Sequence, residues 1–191
     1  LTPHTRFVYE HVCIHGSLEL KRDVLQRAVR LLSDASVPFE IKTQALRVVV
    51  NPMLVASYWE GAEGEAVLTT ELVTLVANAV WKQIQVPAAA ELFADDALRI
   101  ELLQMSTHIL KHGAEILAAQ GQMKLDAIKF GWASLSAEDV TVKHSAYCFI
   151  ARFLSEFESP LKITGQVYVG LLRLPPNDGR GLVRRALDIL V

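Results

Sequence analysis

The fold is decided by a stretch in the last third of the chain, which reads Asp139-Val-Thr-Val-Lys143, then Ala151-Arg-Phe-Leu-Ser155, then Pro160-Leu-Lys-Ile-Thr-Gly-Gln-Val-Tyr-Val-Gly-Leu-Leu-Arg173. Four apolar residues share one face of its first helix: Ala146, Ile150, Phe153 and Phe157. Ser159 ends that helix, because a proline at the next position disfavours the α conformation. Pro160 can open a second helix, where its missing N–H has no cost. The stretch therefore predicts two helices joined by a tight corner, a helical hairpin.

Helical patterns continue through the rest of the chain. Ser17 can cap a helix that ends near Leu32, and Asp95 can cap a longer one. Pro52 should kink or end the helix in which it lies, since its ring clashes with the preceding turn. The predicted inward faces are Leu20, Val24, Ala28 and Leu31; then Leu98, Leu102, Met105, Ile109, His112 and Ile116; then Leu125, Ile128, Trp132 and Leu135. Strand-like alternation is not sustained anywhere, so the sequence predicts an all-α fold.

The helices recur in pairs. The predicted hairpins cover about residues 5–33, 38–82, 95–135 and 139–173, and a last helix over 178–191 begins the next repeat. HEAT and armadillo units repeat at roughly 40–47 residues, which favours an α-solenoid. An up-and-down bundle is the competing architecture. The chain starts at Leu1 instead of Met and ends in a helical pattern, so we expect it to be a fragment of a much larger protein.

Composition limits the classes of partner. The apolar fraction is 51%, yet no uncharged apolar run reaches the ~18 residues that indicate a membrane span. The formal net charge of −2 is far from the basic balance of a nucleic-acid-binding protein, so neither a membrane nor sequence-specific nucleic acid is expected. Cys13 and Cys148 are too few and too far apart for a disulfide framework, and buried reduced thiols fit a cytosolic or nuclear compartment.

Some side chains have spacings that can support chemistry. Three pairs lie four residues apart on predicted helices: His11 and His15, His108 and His112, and His144 and Cys148. The histidine pairs have metal-ligand spacing but lack the glutamate that follows the first histidine in zinc proteases, and no third ligand stands out. Core packing is therefore favoured over a metal site, and also over a thiolate–imidazole pair. The sequence predicts no catalytic residue, no cofactor, no metal and no small-molecule substrate.

A small basic group lies on the last predicted helix and consists of Arg180, Arg184 and Arg185. A solvated face or a contact with acidic residues is favoured for it over nucleic-acid binding. The reason is that no aromatic residues alternate with these arginines to stack bases.

The second half of the chain contains long ordered segments that resemble one family. They are Asp95-Asp-Ala-Leu-Arg-Ile-Glu-Leu-Leu-Gln104, Leu110-Lys-His112, Lys129-Phe-Gly-Trp132, Glu138-Asp-Val-Thr-Val-Lys143, Ala151-Arg-Phe153, Gln166-Val-Tyr-Val-Gly-Leu-Leu-Arg173 and Arg180-Gly-Leu-Val-Arg-Arg-Ala-Leu-Asp-Ile-Leu190. On these segments the chain resembles the TRRAP family, the transformation/transcription domain-associated proteins. Residues 38–53 are similar more loosely. The sequence departs from the family pattern at residues 134–137 and 175–180, and both segments lie at predicted helix junctions.

The resemblance implies a function that composition and spacing do not. Family members are very large HEAT-repeat pseudokinases, related to the phosphatidylinositol-3-kinase-like kinases, and act in the nucleus. They are scaffolds of SAGA-type and NuA/TIP-type histone acetyltransferase complexes and dock transcription activators. On this basis we expect a non-catalytic helical-repeat segment whose partners are complex subunits and activators, with the three arginines as candidates for an activator-binding rim. The alternatives are another helical-repeat adaptor, such as a nuclear transport receptor, and a helical enzyme.

Overall fold

The chain forms seven helices across the residues that a computed structural model describes, which are 3–58, 67–86 and 92–157, together with Gly165 and Val169. Four helices contain no π-helical segment: α2 over Leu18–Leu32, α5 over Asp96–Ala118, α6 over Gly121–Ser134 and α7 over Val140–Glu156. Of these, α5 is kinked at Gly113, where φ is −126° and ψ is 20°. Each of the other three helices contains one π-helical segment. In α1 the α-helix Pro3–Val8 continues into the π segment Tyr9–Ile14, and in α3 the π segment Leu46–Val50 lies between Phe39–Ala45 and Asn51–Ser57. In α4 the α-helix Thr70–Val76 is followed by the π segment Ala77–Trp81 and by a 3-10 turn over Lys82–Gln85. The predicted all-α class is confirmed.

Side-chain caps fix the starts of several helices, and the sequence predicted two of these caps, Ser17 and Asp95. Ser17 Oγ accepts a hydrogen bond from the backbone N–H of Leu20 at 3.2 Å. Asp95 Oδ1 accepts one from Leu98 at 2.7 Å, and Asp139 caps α7 in the same way. Each cap satisfies a backbone N–H that has no partner inside the helix. These local interactions explain why the helix starts could be predicted from sequence.

The helices stack in two rows. In one row α1 packs on α3, α3 on α5 and α5 on α7; in the other α2 packs on α4 and α4 on α6. Consecutive helices such as α5 and α6 pack across the rows. Each helix therefore meets its second neighbour along the chain, which is the pattern of stacked helical hairpins in an α-solenoid. The exact hairpin bounds stay a prediction, and the helices expected after Pro160 and Asp178 lie outside the described residues.

The core lies between the two rows, and α4, α5 and α7 contribute the most buried apolar side chains to it. Leu98, Leu102 and Ile109 of α5 are buried, as predicted. Ala146 and Ile150 of α7 are also fully buried. Tight packing between these rows excludes water from the apolar side chains, and this burial is the main stabilising contribution to a fold of this kind.

Two predicted inward faces are wrong in part, because each contains exposed residues as well as residues that pack on the core. On α2, Ala28 is buried as predicted, but Leu20 is 43% exposed and the other buried residues are Leu25, Val29 and Leu32. On α6, Leu125 is 45% exposed and Trp132 is 42% exposed, while the buried face carries Met123, Asp126, Ala127, Phe130, Gly131 and Ser134. Both helices have apolar residues on more than one side, so the neighbouring helices decided which side was buried.

Pro52 does not end α3. The helix continues from the π segment Leu46–Val50 directly into Asn51–Ser57, with Pro52 in its first turn. The N–H of Asn51 donates to the carbonyl of Leu46, five residues back, which marks the wider π turn. A π segment of this kind changes the hydrogen-bond ladder where the proline lacks an N–H, so the helix can pass through.

Candidate functional site

His108 and His112 lie on α5, where an aromatic residue from α3 covers one of them. The ring of Tyr58 stacks on His112 with centroids 4.0 Å apart and planes 6° from parallel. The hydroxyl oxygen of Tyr58 accepts a hydrogen bond from the backbone N–H of Leu68 at 3.0 Å. The histidine pair is thus built into the contact between α5, the end of α3 and the start of α4.

Burial sets the protonation of these two histidines. Burial and, to a smaller extent, the nearby charge of Lys111 together lower the pKa of His108 to about 4. Burial likewise lowers the pKa of His112 to about 4. Both imidazoles are therefore neutral near pH 7. Within the described ranges no group of three or more His, Cys, Asp and Glu side chains is placed to hold a metal ion.

Of the two cysteines predicted to be buried, Cys13 is buried and Cys148 is half-buried. Cys148 Sγ lies 3.7 Å from Nδ1 of the fully buried His144, so the predicted pair does come together. Cys13 is buried in α1, its Sγ donates to the carbonyl of Val49 at 3.7 Å, and burial raises the pKa of its thiol. A raised thiol pKa keeps Cys13 protonated and poorly nucleophilic. The other predicted histidine pair, His11 and His15, is exposed on α1.

A buried polar network that the sequence analysis did not identify connects α3 to α5. Glu101 is 5% exposed, and its carboxylate accepts from Arg47 Nε at 2.7 Å and from Asn51 Nδ2 at 2.9 Å. The only local signal was a glutamate within the apolar face formed by Leu98 and Leu102. Because the partners lie about fifty residues apart in the chain, helical spacing alone could not pair them.

The outward side of α6 carries the most apolar exposed surface of the three helices in its row. Leu125 and Trp132 are exposed there, and Ile128 and Leu135 beside them are half-buried. The corresponding positions of α4 are polar: its exposed residues are Thr70, Glu71, Asn78 and Lys82. Exposed apolar stripes that include a tryptophan are typical of protein interfaces. Arg180, Arg184 and Arg185, the predicted rim, lie outside the described residues.

Among the described helices there is no segment with the length and hydropathy of a membrane span. The described part of the chain has an extended helical surface with buried polar cross-links, and some of its apolar side chains, including Leu125 and Trp132, are exposed. Such an arrangement is suited to contact with other proteins.

Comparisons with known proteins agree with this architecture. The model of a family described as the Tra1 HEAT repeat ring region matches residues 1–191. The chain is 31% identical over 191 residues to "Probable transcription-associated protein 1" of Dictyostelium discoideum, covering 97% of the chain and 4% of that protein. It is 29% identical over 191 residues to "SAGA complex/NuA4 acetyltransferase complex subunit TRA1" of Saccharomyces cerevisiae, covering 97% of the chain and 5% of that protein.

A human relative is also similar to nearly the whole chain. The chain is 26% identical over 199 residues to the human "Transformation/transcription domain-associated protein", covering 96% of the chain and 5% of that protein. The chain therefore spans only a small fraction of the length of the relatives it matches. No solved structure matches it.

Proposed function

Because this chain belongs to the Tra1 HEAT repeat ring family, we propose that it is a non-catalytic scaffold segment of a nuclear transcription coactivator subunit. In this proposal the parent protein organises SAGA-type and NuA/TIP-type histone acetyltransferase complexes and docks transcription activators. The observation that carries the proposal is the family match over the whole of residues 1–191, together with relatives whose names are those of acetyltransferase complex subunits.

The described geometry supports a scaffold role. Stacked helices in two rows present a continuous surface on which several proteins can bind at separate places. Buried polar groups form hydrogen bonds between helices. Glu101 accepts from Arg47 and Asn51, and Trp81 Nε1 donates to Ser106 Oγ at 2.9 Å. These contacts maintain the relative positions of neighbouring helices, which a scaffold needs in order to hold its partners in fixed places.

The first experiment isolates the full-length protein that contains this chain. The protein would be tagged at its natural locus, purified from nuclei and analysed by mass spectrometry. We expect histone acetyltransferase subunits in stoichiometric amounts. Recovery of transport cargo and transport factors instead would favour a nuclear transport receptor, and metabolic enzymes or substrates would favour a helical enzyme; either result would overturn the scaffold proposal.

A second experiment tests which subunits of the complex this segment contacts. Residues 1–191 would be replaced in the full-length protein by a helical-repeat segment of similar length from an unrelated solenoid. Loss of a defined subset of the co-purifying subunits would assign their contacts to this segment. An unchanged subunit list would mean that the segment acts only as a spacer.

The three arginines give a test of activator docking. Reversal of Arg180, Arg184 and Arg185 to glutamate should weaken the binding of acidic activators, because a basic rim attracts acidic amphipathic helices. The measurement is pull-down of the full-length protein by an immobilised activator at two salt concentrations. Unchanged binding at both would remove these arginines from the proposal.

A further inference from the structure

The connector between α6 and α7, residues 135–139, places an exposed serine beside two acidic residues. It reads Leu135-Ser-Ala-Glu-Asp139, and both Ser136 and Glu138 are exposed. Protein kinases distinguish between hydroxyl groups partly by the pattern of charge around them. Acid-directed kinases are those that select a serine or threonine with acidic residues two and three positions after it. Ser136 has Glu138 and Asp139 at these positions.

The same spacing has a structural explanation, which the fold excludes. A serine followed three residues later by an acidic residue can form a capping box at a helix start, and Ser136 would then be the N-cap of α7. The cap is instead Asp139, whose Oδ1 accepts from the backbone N–H groups of Thr141 and Val142 at 2.8 and 2.9 Å. The Ser136 hydroxyl donates to the carbonyl of Ala133, three residues back, at 2.7 Å. The start of α7 therefore does not depend on this hydroxyl.

Two other serines of the chain have an acidic residue three positions later, and the structure distinguishes both from Ser136. They are Ser57 and Ser155, which are followed by Glu60 and Glu158. Ser57 lies in the last turn of α3, and its hydroxyl oxygen is buried. Ser155 lies inside α7, whose backbone is held in helical hydrogen bonds. Ser136 alone of the three lies outside the helices and is exposed.

Access to the connector requires only a small side chain to leave the core. Ala137, between Ser136 and Glu138, is 6% exposed. Because alanine is the smallest apolar side chain, its exposure loses little of the burial that stabilises the fold. Segments between helices also open more readily than the helices themselves. An enzyme can therefore bind the connector without unfolding α6 or α7.

We propose that Ser136 is a phosphorylation site for an acid-directed protein kinase. Ser136 Oγ forms a bond to the γ-phosphorus of a nucleoside triphosphate, the bond from that phosphorus to the β–γ bridging oxygen breaks, and the nucleoside diphosphate leaves. The hydroxyl proton passes to the catalytic base of the kinase. The proposal does not depend on the scaffold function, since it concerns a modification of this connector alone.

The phosphate changes the electrostatics at the end of α6. A phosphoserine carries roughly −1.5 to −2 charge at pH 7, and its dianion cannot donate to the carbonyl of Ala133 as the hydroxyl does. Carbonyl groups at a helix C-terminus carry partial negative charge, so repulsion replaces an attractive contact there. With Glu138 and Asp139 beside it, the modified connector becomes a strongly acidic part of the surface.

The test uses the full-length protein after treatment with a phosphatase. A purified acid-directed kinase and magnesium ATP are added, and mass spectrometry follows phosphate at each serine with time. We expect phosphate on Ser136, formed at least about tenfold faster than on Ser57 or Ser155, because those two lie in helices that must unfold first. An unmodified Ser136, or modification of Ser57 or Ser155 at the same rate or faster, would overturn the proposal.

Charge variants test the recognition. Glu138→Gln with Asp139→Asn removes both acidic residues, and asparagine caps a helix as well as aspartate does. We expect the rate at Ser136 to fall at least about tenfold. Local unfolding would expose the connector and raise the rate, so a fall reports recognition. The control is Glu40→Gln with Glu115→Gln, which removes two exposed acidic residues elsewhere and should leave the rate unchanged. An equal fall in the control, or no fall in the connector variant, would overturn the site.

Discussion

Nε of Arg47 on α3 lies 2.7 Å from Oε1 of Glu101 on α5, and the same carboxylate accepts a hydrogen bond from Asn51 through its second oxygen. Asn51 also donates to the backbone carbonyl of Glu101, at 3.3 Å. One buried carboxylate thus connects two successive helices of the same row. Arg47 is half exposed at its side chain, so water can replace its part of the pair, whereas Asn51 is buried.

The first prediction concerns this carboxylate. Glu101→Ala should lower the free energy of unfolding by about 2 kcal/mol, because the buried amide of Asn51 loses its charged acceptor and keeps only the longer bond to the backbone carbonyl of residue 101. Chemical denaturation of the chain followed by circular dichroism measures the change. Asp23→Ala, which removes the exposed pair with Arg27, is the matched control and should have a much smaller effect. Equal losses in the two variants would contradict the structural role of Glu101.

A buried tryptophan gives the second prediction. Trp81 Nε1 donates to Ser106 Oγ at 2.9 Å, and that hydroxyl donates in turn to the carbonyl of Leu102 at 2.8 Å. Ser106→Ala leaves the indole N–H without its partner and should lower the free energy of unfolding by roughly 1 to 3 kcal/mol.

The neighbouring hydroxyl serves as its control. Thr107 Oγ1 donates only to the carbonyl of Leu103 in its own helix, at 2.8 Å. Thr107→Ser keeps this donor and should change stability less than Ser106→Ala. Thermal melting with tryptophan fluorescence compares the two variants; a Ser106→Ala protein as stable as the parent would show that the Trp81 hydrogen bond has no net effect.

The third prediction uses two glycines of α6. A Cβ at Gly131 would meet Phe149 Cδ1 at 2.7 Å and Ile150 Cγ1 at 3.0 Å, and both of those residues are fully buried. Gly131→Ala should therefore destabilise by about 1 to 3 kcal/mol through overpacking, even though alanine is the better helix former. At Gly121 nothing lies within 4 Å, so Gly121→Ala should be neutral or slightly stabilising. The denaturant midpoints of the two variants measure these changes in stability. A stabilised Gly131→Ala protein would contradict the close contact.

The fourth prediction is a dependence of stability on pH. Each of His108 and His112 has a folded-state pKa of about 4, below the ordinary value of 6.5. Between these values the unfolded chain binds more protons than the folded one, so the free energy of unfolding falls as pH falls from about 7. With allowance for the partial exposure of His112, the loss between pH 7 and pH 5 should be roughly 2 to 3 kcal/mol.

Two variants test the source of this pH dependence. His108→Leu combined with His112→Phe keeps apolar volume and the ring facing Tyr58 but removes both titrating groups, so the slope of stability against pH from 7 to 5 should become flatter. Ile109→Val on the same helix should lower stability at every pH and leave the slope as it was. A slope unchanged in the double variant would assign the proton uptake to other groups.

Helix positions could be predicted because they depend on residues close together in the chain. Ser17, Asp95 and Asp139 each cap a helix through a backbone N–H two or three residues further on. The inward face of α7 was also predicted, since Ala146 and Ile150 lie on one well-defined apolar stripe. Helix caps and a single apolar stripe depend only on residues that are close together in the chain, so they can be predicted from the sequence alone.

The inward face of α6 could not be predicted in the same way. Apolar residues occur on both of its sides, with Ala127 and Phe130 on one and Leu125 and Trp132 on the other. Gly131 allows Phe149 of α7 to approach α6 closely, and this contact selects the buried side. Selection of this kind depends on a residue eighteen positions away in sequence, so no pattern within α6 contains it.

The sequence by itself determined the all-α class, the helix starts and the family to which the chain belongs, because each of these depends on short-range order of residues. Only the tertiary structure decided that helices stack on their second neighbours, that Glu101 is buried beside Arg47, and that Trp132 faces outward. The physical reason is that a side chain is buried or exposed according to which helices surround it, and those neighbours are set by packing across the whole chain.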